Sequence, residues 1–73
     1  MMSQLFNMLK SSAESDKSKA LLSLKLLSEH ASGIGDHSTG DFYKNAEEAL
    51  SMLVDADDRL NTLNLYFNGK KIM

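Results

Sequence analysis

An apolar repeat in the second half of the chain is the feature that most constrains the fold. Its eight members alternate at intervals of four and three residues: Phe42, Ala46, Ala49, Leu53, Ala56, Leu60, Leu63 and Phe67. On an α-helix this spacing places all eight within one stripe about 100° wide, the width of a core-facing helix surface. A repeat of 3.5 residues favours left-handed, coiled-coil-like packing. We therefore predict a helix over 39–68, whose three alanines in the stripe let a partner helix approach closely.

A shorter repeat of the same period in the first half predicts that partner helix. The segment KALLSLKLLSEHA, residues 19–31, carries Ala20, Leu24, Leu27 and Ala31 at intervals of four, three and four. We predict a helix over about 15–31. The serine-rich segment 11–18 contains poor helix formers, so two alternatives stay open. The helix extends back to residue 3, or 1–14 forms a separate short helix.

Two helical segments separated by a short glycine-rich stretch predict an all-α fold, an antiparallel helical hairpin. Residues 1–73 then form a single domain, with 69–73 as a flexible tail. The segments 3–31 and 39–68 have nearly equal lengths. If they pair as one hairpin, Leu63 lies opposite Leu9, and Phe67 lies opposite Phe6.

Three leucines of the first helix point away from its repeat and call for a further partner. They are Leu21, Leu22 and Leu26. A helix that is apolar on all sides is normally buried, whereas a chain this short buries only roughly 60% of its unfolded surface. There are no cysteines to supply disulfides. Either the N-terminal segment SQLFNMLK or a second copy of the chain can cover the three leucines. We predict that these leucines form the core of a homo-oligomer, a dimer or tetramer of the four-helix-bundle type.

Charge and hydropathy exclude several classes of function. The chain has a net charge of −2, the wrong sign for a protein that binds phosphate backbones through a basic face. No apolar run approaches the ~18 residues needed to span a bilayer. The start of the chain lacks the basic residues and long apolar core of a signal peptide. We expect a cytoplasmic protein with neither nucleic acid nor membrane as partner.

The stretch HASGIGDHSTGDF, residues 30–42, is the candidate for chemistry. Four of its residues offer ligands suited to zinc, manganese or iron: His30, Asp36, His37 and Asp41. His37 beside a carboxylate also suggests acid–base catalysis, and the glycines suggest a phosphate cradle. As a phosphate cradle of the P-loop type, however, the stretch lacks the lysine and the preceding strand that the motif requires.

A connection between helices is the interpretation that we favour for this stretch. Gly33 and Gly35 allow turns with positive φ, and Ser38, Thr39 or Asp41 can cap the next helix. We therefore predict no catalytic residue, no metal and no cofactor, and keep the four ligands named above as the alternative.

The outer surface of the second helix is the predicted interaction surface. It combines a second apolar strip, Tyr43, Leu50 and Val54, with four acidic residues, Glu47, Glu48, Asp55 and Asp58. Arg59 is assigned to the same solvent-facing side as these acids. Asp57 lies beside the apolar stripe, where it is either an ordinary flanking charge or a polar group that fixes register or partner choice.

The run LLSLKLLSEHASGIGDHSTGDFYKNAEEALSMLVDADDRLNTLNLYF, about residues 20–67, resembles small uncharacterised helical proteins of T-even-type tailed bacteriophages, including phages of marine cyanobacteria. The resemblance rests on GIGDHSTGDFY and ALSMLVDADDRLNTL. It implies a virus-encoded protein made in the host cytoplasm, where such proteins act as modulators of host factors. It assigns no catalytic residue.

These observations together predict a small, non-enzymatic, homo-oligomeric module for protein–protein interaction, whose further partner is a host or viral protein. Two other functions remain as alternatives. One is a metal-dependent enzyme or metal-binding protein that uses the 30–41 segment. The other is an acidic regulator that binds a basic partner, for which we expect salt-sensitive binding.

Overall fold

A computed structural model describes residues 2–29 and 39–67, which form two α-helices. Helix α1 is Met2–Glu29 and helix α2 is Thr39–Phe67. The two pack against each other as an antiparallel hairpin with principal dimensions of 52 × 20 × 15 Å. The predicted all-α helical hairpin is confirmed.

Helix α1 runs without interruption through the serine-rich segment 11–18. Residues 2–14 are therefore the first half of α1 and not a separate helix. Serine lowers helix propensity by only about 0.5 kcal/mol relative to alanine, and packing against α2 outweighs such local preferences. Ala13 is fully buried in the middle of this segment, and Asp16 bonds to α2.

The apolar stripe of α2 faces α1, as the spacing predicts. Its members are buried or half-buried except Phe67, which is 50% exposed at the end of the helix. On α1 the predicted positions Ala20, Leu24 and Leu27 are likewise buried or half-buried. Ala31 lies outside the described residues.

The interface between the helices has a thin core made mainly of alanine. Its buried members are Ala13, Ala20, Ala49, Ala56 and Leu63. Small side chains permit a short distance between helix axes, but each one removes little apolar surface from water. The larger residues Leu24, Leu27, Leu53 and Leu60 lie at the edges of this core and are only half-buried.

The register of the hairpin matches the predicted one. Phe6, Leu9, Leu63 and Phe67 line one small cavity of about 50 Å³ at the open end of the hairpin. The pairs Leu9–Leu63 and Phe6–Phe67 are therefore neighbours across the interface.

The chain as a whole has a larger accessible surface than a compact monomer of its mass. Its accessible surface is 5434 Å², whereas about 4,500 Å² is expected for a compact chain of 8.1 kDa. Within 2–29 and 39–67, neither helix has a stretch long and apolar enough to cross a membrane. The predictions for the glycine-rich connection and for the tail 69–73 fall on residues outside the described ranges.

Candidate interaction surface

Two sets of ion pairs cross the hairpin at the middle of its length. Arg59 donates a 2.7 Å hydrogen bond to Asp16 and a second, of 3.0 Å, to Asp55 one turn before it on α2. On the other side of the interface, Lys17 Nζ lies 3.1 Å from Asp57 Oδ1. The side chains of consecutive residues point about 100° apart around a helix axis, so those of Asp16 and Lys17 reach opposite sides of the alanine core.

The two aspartate partners of Arg59 stabilise its positive charge. The hydrogen bond to Asp16 raises the pKa of the guanidinium above its usual value, and the nearby charge of Asp55 acts in the same direction. All three groups remain in contact with water, which screens such pairs and keeps their contribution to stability small. These ion pairs serve mainly to fix which residues of the two helices face each other.

One side of the hairpin, here called the groove face, carries two apolar grooves separated by the Asp16–Arg59–Asp55 cluster. The groove nearer the connection has a volume of about 400 Å³ and is lined by Ser23, Leu26, Leu27, Asn45, Glu48, Ala49 and Met52. The groove nearer the open end has about 270 Å³ and is lined by Leu9, Ser12, Asp58, Arg59, Thr62 and Leu63. Both are open to solvent.

The opposite side, here called the Tyr43 face, is apolar over only half of its length. Leu21 lies one turn after Lys17, and Leu50 lies two turns before Asp57. Both leucines therefore lie on the same side of the hairpin as the Lys17–Asp57 ion pair. Tyr43 and Val54 extend the patch toward the connection. The other half of this face carries exposed polar residues, which are Asn7, Glu14, Asn61 and Asn64.

The leucines predicted to form the oligomer core are exposed on three different sides of α1. Leu26 lines the larger groove, Leu21 lies on the Tyr43 face, and Leu22 points away from α2 between them. They belong to a larger set. Thirteen large apolar side chains of the described residues are 41–63% exposed, more than a hairpin this small usually leaves in water.

The four acidic residues of the predicted interaction surface are all exposed but do not form one acidic face. Glu48 and Asp58 border different grooves, and Glu47 lies beside the Tyr43 face. Asp55 is paired with Arg59. The assignment of Arg59 to the solvent-facing side is wrong, since it lies at the edge of the interface and reaches Asp16. The acids are therefore spread around α2 and partly neutralised.

Of the four residues in the alternative metal site, only Asp41 belongs to the described residues, where it is exposed in the first turn of α2. His30, Asp36 and His37 lie outside them. Within the two helices, no group of three or more histidines and carboxylates is placed to hold a metal ion.

Two residues at the centre of the structure, Asp16 and Lys17, were not selected from the sequence. The signal for Lys17 is the repeat of α1 continued backwards at the same intervals of three and four, whereas Asp16 is not a member of that repeat. From Ala20 the repeat passes through Lys17, Ala13, Lys10 and Phe6. Because two lysines and a run of serines interrupt its apolar character, the repeat is visible only once α1 is known to be continuous.

In comparisons with protein-family models, curated proteins and solved structures, no match to the chain was found.

Proposed function

We propose that this protein is a non-enzymatic interaction module that self-associates as a dimer or tetramer and presents its remaining surface to a host or viral protein. The observation that carries the proposal is the inverted distribution of its apolar residues. The buried core consists of four alanines and Leu63, whereas seven of the twelve leucines in the two helices, together with Met8, Met52, Tyr43 and Tyr66, are 41–63% exposed.

The energetics of burial favour a further partner for these side chains. Fully burying a leucine or methionine contributes about 1.5–3 kcal/mol, whereas a single buried methyl group contributes about 0.8 kcal/mol. Burial of the exposed side chains would therefore contribute more free energy than burial of the alanines already does. These side chains are Leu21, Leu22 and Leu26 on α1 and Leu50 and Met52 on α2. A second copy of the chain that covers one face and a further partner that covers the other can bury these side chains.

The Tyr43 face is proposed as the surface for a partner other than a second copy. Tyr43, Leu50 and Val54 form a compact apolar patch, with Glu47 at its edge. An apolar centre with an aromatic residue and a charged rim is the usual composition of a protein-binding surface. The resemblance to phage proteins extends the proposal to a modulator of a host factor, working in the host cytoplasm.

The experiment that tests self-association is a mass measurement by light scattering and sedimentation, from micromolar to several hundred micromolar protein. We expect two or four times the chain mass of 8.1 kDa. The triple variant Leu21→Gln, Leu22→Gln, Leu26→Gln is expected to be a helical monomer. The matched control, Ser11→Gln, Ser15→Gln, Ser18→Gln, changes three exposed positions of the same helix and should associate as the wild type does. A wild-type monomer over the whole concentration range overturns the proposal.

A further inference from the structure

We propose that the groove face is the surface through which two copies of this chain associate, with the Asp16–Arg59–Asp55 cluster at the centre of the interface. The inference rests on the self-association proposed above and adds which of the two faces is used. Leu9, Lys19, Leu26, Met52 and Tyr66 are the exposed residues of the groove face on which it depends.

The charges at the centre of the groove face are complementary to themselves. Asp16 and Asp55 are negative and Arg59 is positive; Lys19, three residues after Asp16, adds a second positive charge on the same side of α1. The four sum to zero, while Glu48 and Asp58 line the neighbouring grooves and add two negative charges to the face. A dimer uses the same patch on both copies, so a neutral patch of alternating sign can pair with its own image without net repulsion.

Two copies can bring their groove faces together in two two-fold arrangements, and in both of them opposite charges of the two copies approach each other. Where α1 stacks on α1 and α2 on α2, the helices run antiparallel and the axis passes between Asp55 and Arg59. Arg59 of each copy then approaches Asp55 of the other. Where α1 stacks on α2 instead, Arg59 approaches Asp16 of the other copy.

The apolar residues of the groove face lie on both sides of this centre. Leu9 and Tyr66 stand toward the open end, one heptad from Asp16 and Arg59 respectively. Leu26 and Met52 stand toward the connection. Leu9 lines the groove of about 270 Å³, and Leu26 and Met52 line the groove of about 400 Å³. Protruding side chains beside open grooves at heptad spacing are the elements from which helices pack knobs into holes.

The size of the face is sufficient for a stable dimer. The helices have 28 and 29 residues, so each is about 43 Å long and about 10 Å wide, and together they present about 860 Å² on one side. A standard protein–protein interface buries about 800 Å² per partner. Covering the groove face therefore reaches the usual range without any contribution from the connection or the tail.

The Tyr43 face does not match itself in the same way. Its apolar residues are confined to the half near the connection, and Asn7, Glu14, Asn61 and Asn64 occupy the other half. A two-fold axis that crosses the helices at mid-length would set each apolar half against a polar half. An axis along the helices would bring the apolar halves together, but it would also set the polar half, with Glu14, against its own image. This asymmetry suits a different partner better than a second copy.

The decisive experiment compares two lysine substitutions on α2, Met52→Lys and Leu50→Lys. The two positions are two residues apart and similarly exposed, 42% and 53%, but lie on opposite faces. We expect Met52→Lys to raise the dimer dissociation constant at least ~100-fold, because an unpaired charge in an interface is strongly unfavourable. Leu50→Lys should leave it within a factor of about 3. Circular dichroism of each variant establishes that the helices are intact.

A second pair tests the charged centre with variants that keep all apolar residues. Lys19→Glu adds a negative charge beside Asp16, whereas Lys25→Glu makes the same change on the Tyr43 side of the same helix. We expect Lys19→Glu to weaken dimerisation at least ~10-fold, with partial recovery in high salt, and Lys25→Glu to leave it unchanged.

The outcomes separate this inference from the proposed function. A wild-type chain that stays monomeric overturns both. A wild-type dimer that survives Met52→Lys and Lys19→Glu but dissociates with Leu50→Lys overturns the groove face alone and leaves self-association standing.

Discussion

Lys17 and Asp57 form an ion pair, 3.1 Å between Nζ and Oδ1, on the side of the alanine core opposite the Asp16–Arg59 bond. The two pairs flank the same level of the hairpin, close to Ala13, Ala20 and Ala56. Small apolar residues repeat along this interface, so sliding one helix by a heptad would still bury methyl groups. The ion pairs hold only in the observed register, and they therefore specify it more than they stabilise it.

The Lys17–Asp57 pair should show a small favourable coupling in a double-mutant cycle with Lys17→Gln and Asp57→Asn. Both side chains are more than 40% exposed, so we expect a coupling of about 0.5 kcal/mol at low salt, and less in high salt. Urea denaturation of the four proteins at one fixed protein concentration measures it. The same cycle with Lys25→Gln in place of Lys17→Gln is the control and should give no coupling. Equal values in the two cycles would show that Lys17 and Asp57 do not interact.

Leu63 should matter far more to stability than Leu65, although only two residues separate them. Leu63 is buried against α1, and Leu65 is 62% exposed on the outside of α2. We expect Leu63→Ala to lower the free energy of unfolding by about 2–3 kcal/mol, and Leu65→Ala to change it by no more than about 0.5 kcal/mol. Thermal and urea denaturation followed by helical circular dichroism provide the comparison. Equal losses would contradict the orientation of α2.

Ala56 should not tolerate a larger side chain. It is fully buried between the helices, so the additional carbons of Ala56→Leu must push α1 away and break the close packing on either side. We expect a loss of about 1–3 kcal/mol. Ser51→Leu introduces the same side chain on the exposed side of α2 and should have little effect. Stabilisation by Ala56→Leu would mean that the helices lie farther apart at this level than the hairpin has them.

The sequence predicted α2 and the second half of α1 because their apolar residues recur at a regular period that only a helix satisfies. It left the first half of α1 undecided. Ser11, Ser12, Ser15 and Ser18 are locally poor helix formers, and the packing that outweighs them, such as the burial of Ala13 against α2, involves residues far away in the sequence. The Asp16–Arg59 bond joins the same segment to a residue 43 positions away. Long-range ion pairs of this kind leave no periodic signal, which is also why Arg59 was assigned to solvent.

The candidate site was predicted only in part, for a related reason. The surplus of leucines in α1 indicates that some must be exposed, and Leu21, Leu22 and Leu26 are. Which of them lies beside a residue of α2 depends on how the two helices pack. Leu26 shares a groove with Met52, a residue that the repeat of α2 does not single out.

The continuity of α1 leads to a last prediction, at Ser15. This residue is exposed in the middle of α1, so its substitutions change the helix without changing the buried core. In a continuous helix we expect Ser15→Ala to raise the free energy of unfolding by about 0.5 kcal/mol. Ser15→Pro should lower it by about 3 kcal/mol, because proline removes a backbone hydrogen bond and clashes with the preceding turn.

A break at this position predicts the reverse pattern. Proline is accepted at the start of a second helix, so Ser15→Pro would then be nearly neutral and Ser15→Ala would bring little gain. Circular dichroism at low temperature gives the helix content, and urea denaturation gives the stability. A Ser51→Ala variant in the middle of α2 serves as the reference, since α2 is helical in either case. A proline variant as stable as the wild type would show that residues 2–14 and 16–29 are separate helices, and the Asp16–Arg59 bond would then sit at a helix start and not at the centre of a continuous one.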